Sequence, residues 1–489
     1  MSFSDWLNPV TLKELRQMVR SRMVAAGLIG FLAISQIATG LVLLNSQEEL
    51  QHGMQISEKG LGDGVFSTIY IILALLLLLA APYFFGARMG AERSSEHLDL
   101  QYTTILKPRQ LVDGKVVSAA ILLLLFVSAT LPFLSLAYLL RGLDVLQALL
   151  ATVMLMFVAV ACVFVALFLA TAAPSRSLRV LVVLGMLWFQ GMVLSLAIGG
   201  GMMMVNYQGL SLSSWSDWAV PGLFLAAWLS TCLLLRAATI SLIMPAVANR
   251  APAVRGWITV LWAFWGMVAA LFAWHETEIA PVMVWAFLSL LAFAVFGAIS
   301  ASGAPGYSRR VLAGVSPSGG RRTLQFLFFS GAENGMCWAL VMSLLTLLAA
   351  SLVEAGCPDS WKPRGNDPDT MSLFILCCYL TTYIWGVRGL WRGLLHRWFT
   401  CRLTGVVAVI VMLLVWAIPQ IMALGSPDKR VVWVFGNPFI GFNKKMDLIP
   451  IATTAAICAA VAVAANLKWL VAAIRDFIPP APATQKRGD

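Results

Sequence analysis

Charge is what this chain has least of. Only 12% of its residues are Asp, Glu, Lys or Arg, about half the share a soluble domain carries. With 60% hydrophobic residues and a mean hydropathy of +0.84, the chain has too little polar surface to fold in water as a globular domain. It reads as an integral membrane protein. The central parts of its apolar runs hold essentially no Asp, Glu, Lys, Arg or His. Glu333 stands just before the ninth run, and Arg236 and Lys468 stand towards the inner ends of theirs. A transporter driven by protons needs a titratable group near the bilayer midplane, so this scarcity speaks against one.

Other absences narrow the chemistry. There are four histidines, all in loops or at span ends, so no pair is placed to ligate a haem between helices. No Gly-rich loop ends in Gly-Lys-Ser/Thr: Gly114-Lys115 is followed by Val116, and a nucleotide needs the spaced glycine and the hydroxyl that are missing here. The chain therefore carries no cofactor of its own on this reading. No Ser/His/Asp or Cys/His arrangement is evident. Of eight cysteines, Cys162, Cys232, Cys377, Cys378 and Cys458 lie within apolar runs, and Cys337 and Cys401 at their edges. Only Cys357 lies in a sizeable polar loop. That placement suits small buried hydrophobes, not a disulfide framework or a zinc site. The net charge of +11 comes from short loops, with no basic tail or patch of the kind nucleic acid requires.

What is present in quantity is long apolar runs. Twelve are long enough to cross a bilayer, at about 20 residues each: 23–45, 65–87, 116–140, 145–173, 180–201, 219–243, 257–274, 281–301, 334–353, 371–387, 404–425 and 448–472. The predicted fold class is all-α, a polytopic transmembrane helix bundle of about twelve spans. With the N-terminus inside, most of the 34 lysines and arginines fall on the inner segments, which sets the orientation and puts both termini in the cytoplasm. Loop 426–447, with Lys429, Arg430, Lys444 and Lys445, is the exception. The multi-pass chain is expected in the cytoplasmic (inner) membrane.

Before the first run, residues 1–22 read as an amphipathic elbow helix in the headgroup plane, with no cleavable signal. Asn8 suits the N-cap and Pro9 the first helical position. Leu12, Leu15 and Val19 mark one face; Lys13, Glu14, Arg16, Gln17 and Arg20 mark the other. Between the second and third runs lies a polar island, Ala91 to Lys115. Leu98, Tyr102 and Ile105 give it one thin apolar stripe, the spacing of a surface helix. That helix is predicted to stop near Leu106, because Lys107 precedes Pro108, and a new one to start around Gln110. A solvated loop of no consequence is the alternative reading. Further on, inner loop 302–325 carries Arg309-Arg310 and Arg321-Arg322, suited to contact with lipid. Segment 388–402, with tryptophans among arginines, reads as an interface anchor.

In order, Glu92, Leu98-Asp99-Leu100, Thr103, Leu106, Arg109, Leu111-Val112 and Gly114-Lys115 resemble the cytoplasmic loop of ABC-2-type permeases, the membrane subunits of ABC exporters. The resemblance covers roughly the first 245 residues and extends to the elbow helix. It departs from the usual pattern at Glu96-His97, where Gly-Thr is common, and at Ile105, where proline is common. The resemblance implies that the loop, Glu96 included, holds a coupling helix docking on a cytoplasmic ABC ATPase subunit. ATP and Mg would then be bound by that partner, and this chain would not itself be an enzyme. It also implies a second permease copy or paralogue, surrounded by the lipid bilayer. The implied organisation is an elbow helix (1–22), a six-span permease core (23–245) and a six-span extension (246–489), or less readily a diverged second core. An apolar interior favours lipidic or amphipathic cargo. A polytopic membrane enzyme or assembly subunit stays open as an alternative, since Glu48-Glu49 sits in an early outer loop. So does an ion-coupled secondary transporter, the loop FGARMGAERS being faintly similar to the major facilitator motif.

Overall fold

The computed structural model describes residues 8–51, 61–94, 107–140, 143–172, 176–206, 215–245, 247–361, 369–425, 436–440 and 447–480. Among them the only regular structure is helical. Twelve helices are long and apolar enough to cross a membrane, so the chain is an all-α polytopic helix bundle. The runs predicted from hydropathy each correspond to one of these spans. The chain divides into two compact units, residues 1–244 and 245–489, each with six spans.

Unit 1 begins with α1 (Pro9–Val19). Asn8 caps it by accepting from the Val10 N–H at 3.1 Å, and Pro9 occupies the first helical position. The spans follow: α2 (Arg22–Gln51), α3 (Leu61–Leu75) continuing into α4 (Ala81–Ser94), α5 (Pro108–Leu139), α6 (Val145–Ala172), α7 (Arg176–Asn206) and α8 (Trp215–Ile243). The second span is α3 and α4 together, joined by a π turn at Leu76–Ala80. A buried stripe runs along it from Val65 through Leu73 and Leu77 to Phe85 and Met89. This stripe forms the core of the unit with Leu123 of α5 and with Leu155 and Val163 of α6. The principal packing is of the first span on the second; of the second on the third, fourth and fifth; of the third on the fourth and sixth; and of the fourth on the fifth and sixth.

Helix α5 starts at Pro108, two residues before the predicted Gln110. Lys107 is extended, as a residue before proline should be, and its N–H donates to the Gln110 side chain at 3.0 Å. Proline thus opens the helix as its first residue instead of merely ending the one before. Of the predicted surface helix, 92–106, residues 92–94 continue α4, and 95–106 lie outside the described residues.

Unit 2 contains α9 (Ala251–Glu276), α10 (Ala280–Ala301), the short α11 (Arg309–Ala313), α12 (Gly319–Phe328), α13 (Ala332–Gly356), α14 (Thr370–Gly393), α15 (Thr404–Gly425), α16 (Leu448–Ala465) and α17 (Leu467–Asp476). Its six spans are α9, α10, α13, α14, α15 and α16. The first packs on the second; the second on the third, fourth and fifth; the third on the fourth; and the fourth on the fifth and sixth. Small residues set the closest approaches. A Cβ at Gly405 of α15 would run into the Ala298 carbonyl of α10, so only glycine fits that crossing.

The last apolar run, predicted as one segment over 448–472, is interrupted. Asn466 ends α16 and turns its side-chain amide back, donating to the carbonyls of Trp385 at 2.8 Å and Ala462 at 2.9 Å. Helix α17 then sets off as a separate amphipathic segment. The cysteines are free, and Cys162, Cys232, Cys377 and Cys378 are buried as expected, whereas Cys458 is exposed.

Candidate functional site

The polar end of unit 1, where the second and third spans flank residues 95–106, is built on buried charge. Lys115, in the second turn of α5, is only 3% exposed, as is Glu14 of α1. The Lys115 ammonium lies 2.8 Å from Glu14 Oε1 and 2.9 Å from Glu92 Oε1 on α4. Arg88, one turn before Glu92, reaches Glu14 Oε2 at 3.1 Å and donates to Gln17 at 2.7 Å. Two cations and two carboxylates therefore join α1, α4 and α5, and the charges balance. Buried ions are tolerated only when paired and hydrogen-bonded in this way.

Three further contacts fix α1 on α5. Asn8 Nδ2 donates to the Gln110 carbonyl at 2.5 Å, so the residue that caps α1 also meets an opening residue of α5. The Ser118 hydroxyl lies 3.4 Å from the Thr11 carbonyl. At Gly114 the helices approach so closely that a Cβ would come within 2.8 Å of Val10 Cβ. On the other side of α5, Asp113 takes a two-pronged ion pair from Arg236 of α8, both contacts at 2.6 Å. Four helices are thus tied together at the base of the loop.

The predicted site residues fall in three groups. Glu96, Leu98, Asp99, Leu100, Thr103 and Leu106 lie outside the described residues. Arg109 is exposed near the start of α5. Glu92, Gly114 and Lys115 are engaged within the unit itself, Gly114 and Lys115 buried. Residues so engaged hold the base of the loop. Along α1, Pro9, Arg16 and Arg20 are exposed and Leu12 and Leu15 half-buried, while Val19 is 83% exposed. The face turned to the protein is Val10, Thr11, Glu14 and Met18. Glu14 therefore leaves the solvent-facing set to which its neighbours assign it. Val10 and Met18, four residues to either side of it, share that inward face. Its partners Arg88 and Lys115 are remote in sequence, and no local pattern reveals them.

Unit 2 has a polar cluster of its own. Helix α14 extends to Gly393 and so takes in the start of the segment read as an interface anchor. Trp398 is exposed, but Arg388 is fully buried. Its guanidinium donates to the carbonyls of Ala301 at 2.8 Å and Gly303 at 3.1 Å and lies 3.6 Å from Glu333. Arg392 pairs with Glu333, reaches Asn466 at 3.3 Å and sits over the Trp469 ring. Anchoring at the headgroups thus gives way to internal cross-bracing of α10, α13, α14 and α16. Arg255 of α9 donates to the carbonyls of Leu327 and Phe329, both at 2.7 Å, holding the strap before α13.

Beside that strap, Phe477 after α17 inserts among Tyr307, Phe326 and Phe329, edge to face at 5.3–5.7 Å between ring centroids. Burial raises the pKa of the Tyr307 phenol, against the pull of its hydrogen bond to Asn334. No protein-family model, curated protein or solved structure matches the chain.

Proposed function

We propose that this membrane protein is the permease subunit of an ATP-driven exporter in the cytoplasmic membrane, and that residues 95–107 are where a separate ATPase subunit acts on it. The observation that carries this reading is the ion network of Glu14, Arg88, Glu92 and Lys115, in which Glu14 and Lys115 are buried. A loop set on a loose base would absorb a push from the cytosol. This one leaves α4 and enters α5 at points locked to each other and to α1, so displacement of the loop moves the second and third spans as a body.

On this reading both termini are cytoplasmic and α1 lies along the inner headgroups, with Val19 turned to lipid. The chemistry of ATP and Mg belongs to the partner. This chain supplies a two-state membrane element that the partner's nucleotide cycle biases. An interior whose charges are confined to span ends fits amphipathic or lipidic cargo.

The test is purification of the full-length chain from native membranes, followed by a search for a bound ATPase. An ATPase should co-purify, and Glu96→Lys should weaken its recovery while leaving the chain folded. Absence of any ATPase would overturn the reading. So would labelling of a cysteine at Thr104 by an impermeant reagent added outside intact cells.

A further inference from the structure

The two units, each taken by itself, have the same internal plan. In both, the first span packs on the second, the second on the third, fourth and fifth, the third on the fourth, and the fourth on the fifth and sixth. The fifth and sixth spans are consecutive in the chain, yet among the described residues they are principal neighbours in neither unit. Elements consecutive in the chain are usually neighbours in space, so a shared exception says more than the shared rule. Unit 1 adds only a contact of the third span with the sixth. The enclosure of the spans follows the same order. The second, third and fourth are the most buried in each unit, and the first, fifth and sixth the most exposed.

We propose that residues 245–489 are a second copy of the six-span core, not an unrelated extension. Each copy has the same even number of spans, six. The sequence hides the duplication because, among the described residues, unit 2 has no helix before its first span like α1. One of its two amphipathic helices, α12, stands in the loop before the third span and packs on α13; the other, α17, follows the last span. Unit 1 likewise lays an amphipathic helix, α1, against its third span. The loop between second and third spans in unit 2, residues 302–331, corresponds in place to residues 95–107 in unit 1. It presents the exposed pair Arg309 and Arg310.

Resting on the function proposed above, the consequence is that one chain supplies both permease cores and offers two ATPase docking loops. The measurement is the mass of the full-length chain in detergent, alone and with its co-expressed ATPase. One chain with two ATPase subunits is expected, and Arg309→Glu/Arg310→Glu should reduce that to one. Two chains with two ATPases, or one chain with one, would overturn the proposal. A double variant that keeps both ATPases would also overturn it, by removing loop 302–331 from docking. If no ATPase binds at all, the exporter reading fails, and the duplication is judged on the chain alone: a monomer supports it and a homodimer overturns it.

Discussion

Lys115 meets Glu14 across 101 residues of sequence, with Nζ 2.8 Å from Oε1 and both side chains withdrawn from water. The pair is the point at which a surface helix becomes part of the membrane bundle. Its worth is conditional. Two buried ions that satisfy each other cost little net stability, whereas one left alone is costly.

Lys115→Met should therefore destabilise the protein, by up to about 3–5 kcal/mol, since it leaves buried Glu14 with Arg88 alone. Adding Glu14→Gln to that variant should restore part of the loss. Thermal unfolding in detergent across the four-member cycle measures the coupling. Strictly additive losses would mean the two residues do not sense each other.

At Gly114 the prediction is steric. A methyl group there would press on Val10, and overpacking of this kind costs about 1–3 kcal/mol. Gly30→Ala, in open space on α2, is the matched control and should be neutral or slightly stabilising. If both alanine variants melt together, α1 does not sit against α5 as described.

Phe477→Ala should free the C-terminal helix without unfolding the spans. Emptying a buried phenylalanine site costs about 3–5 kcal/mol, here borne by the contact of α17 with Tyr307, Phe326 and Phe329. Trypsin should cut at Lys468 and Arg475 many times faster in the variant, with the remaining chain intact. Phe477→Leu should fall between.

Arg388 separates hydrogen bonding from charge. Arg388→Lys keeps the cation but cannot span the carbonyls of Ala301 and Gly303 together, so it should recover only part of the stability lost in Arg388→Met. Full recovery, read as the monodisperse fraction after heating, would show that charge against Glu333 is all that matters there.

The spans were legible because crossing a bilayer imposes length and hydropathy on local sequence, and a run such as 145–173 admits no other reading. Helix α1 was legible from Asn8, Pro9 and its polarity. The direction it faces was not. Glu14 looks solvated beside Lys13 and Arg16, and only a lysine a hundred residues on pulls it inward. The same holds for Arg388, which sits among tryptophans as an anchor would, until α10 supplies carbonyls to receive it. Local pattern records what the bilayer demands of a segment; pairing between segments leaves no periodic trace. The break at Asn466 leaves no mark in the sequence for a related reason, since a single asparagine interrupts hydropathy too briefly to split a run.

The π turn at Leu76–Ala80 acts on everything beyond it like one added notch in a screw thread. An α-helix advances its side chains by about 100° per residue, and a π turn inserts roughly one residue of phase. That offset lets the inward line entering at Val65 leave at Met89 and aim Arg88 and Glu92 at their partners. Deleting any one of the leucines 76–79 should regularise the helix and keep Arg88 and Glu92 in phase with Lys115 and Glu14, whereas winding all of its residues as α-helix would swing both charges about a quarter-turn away.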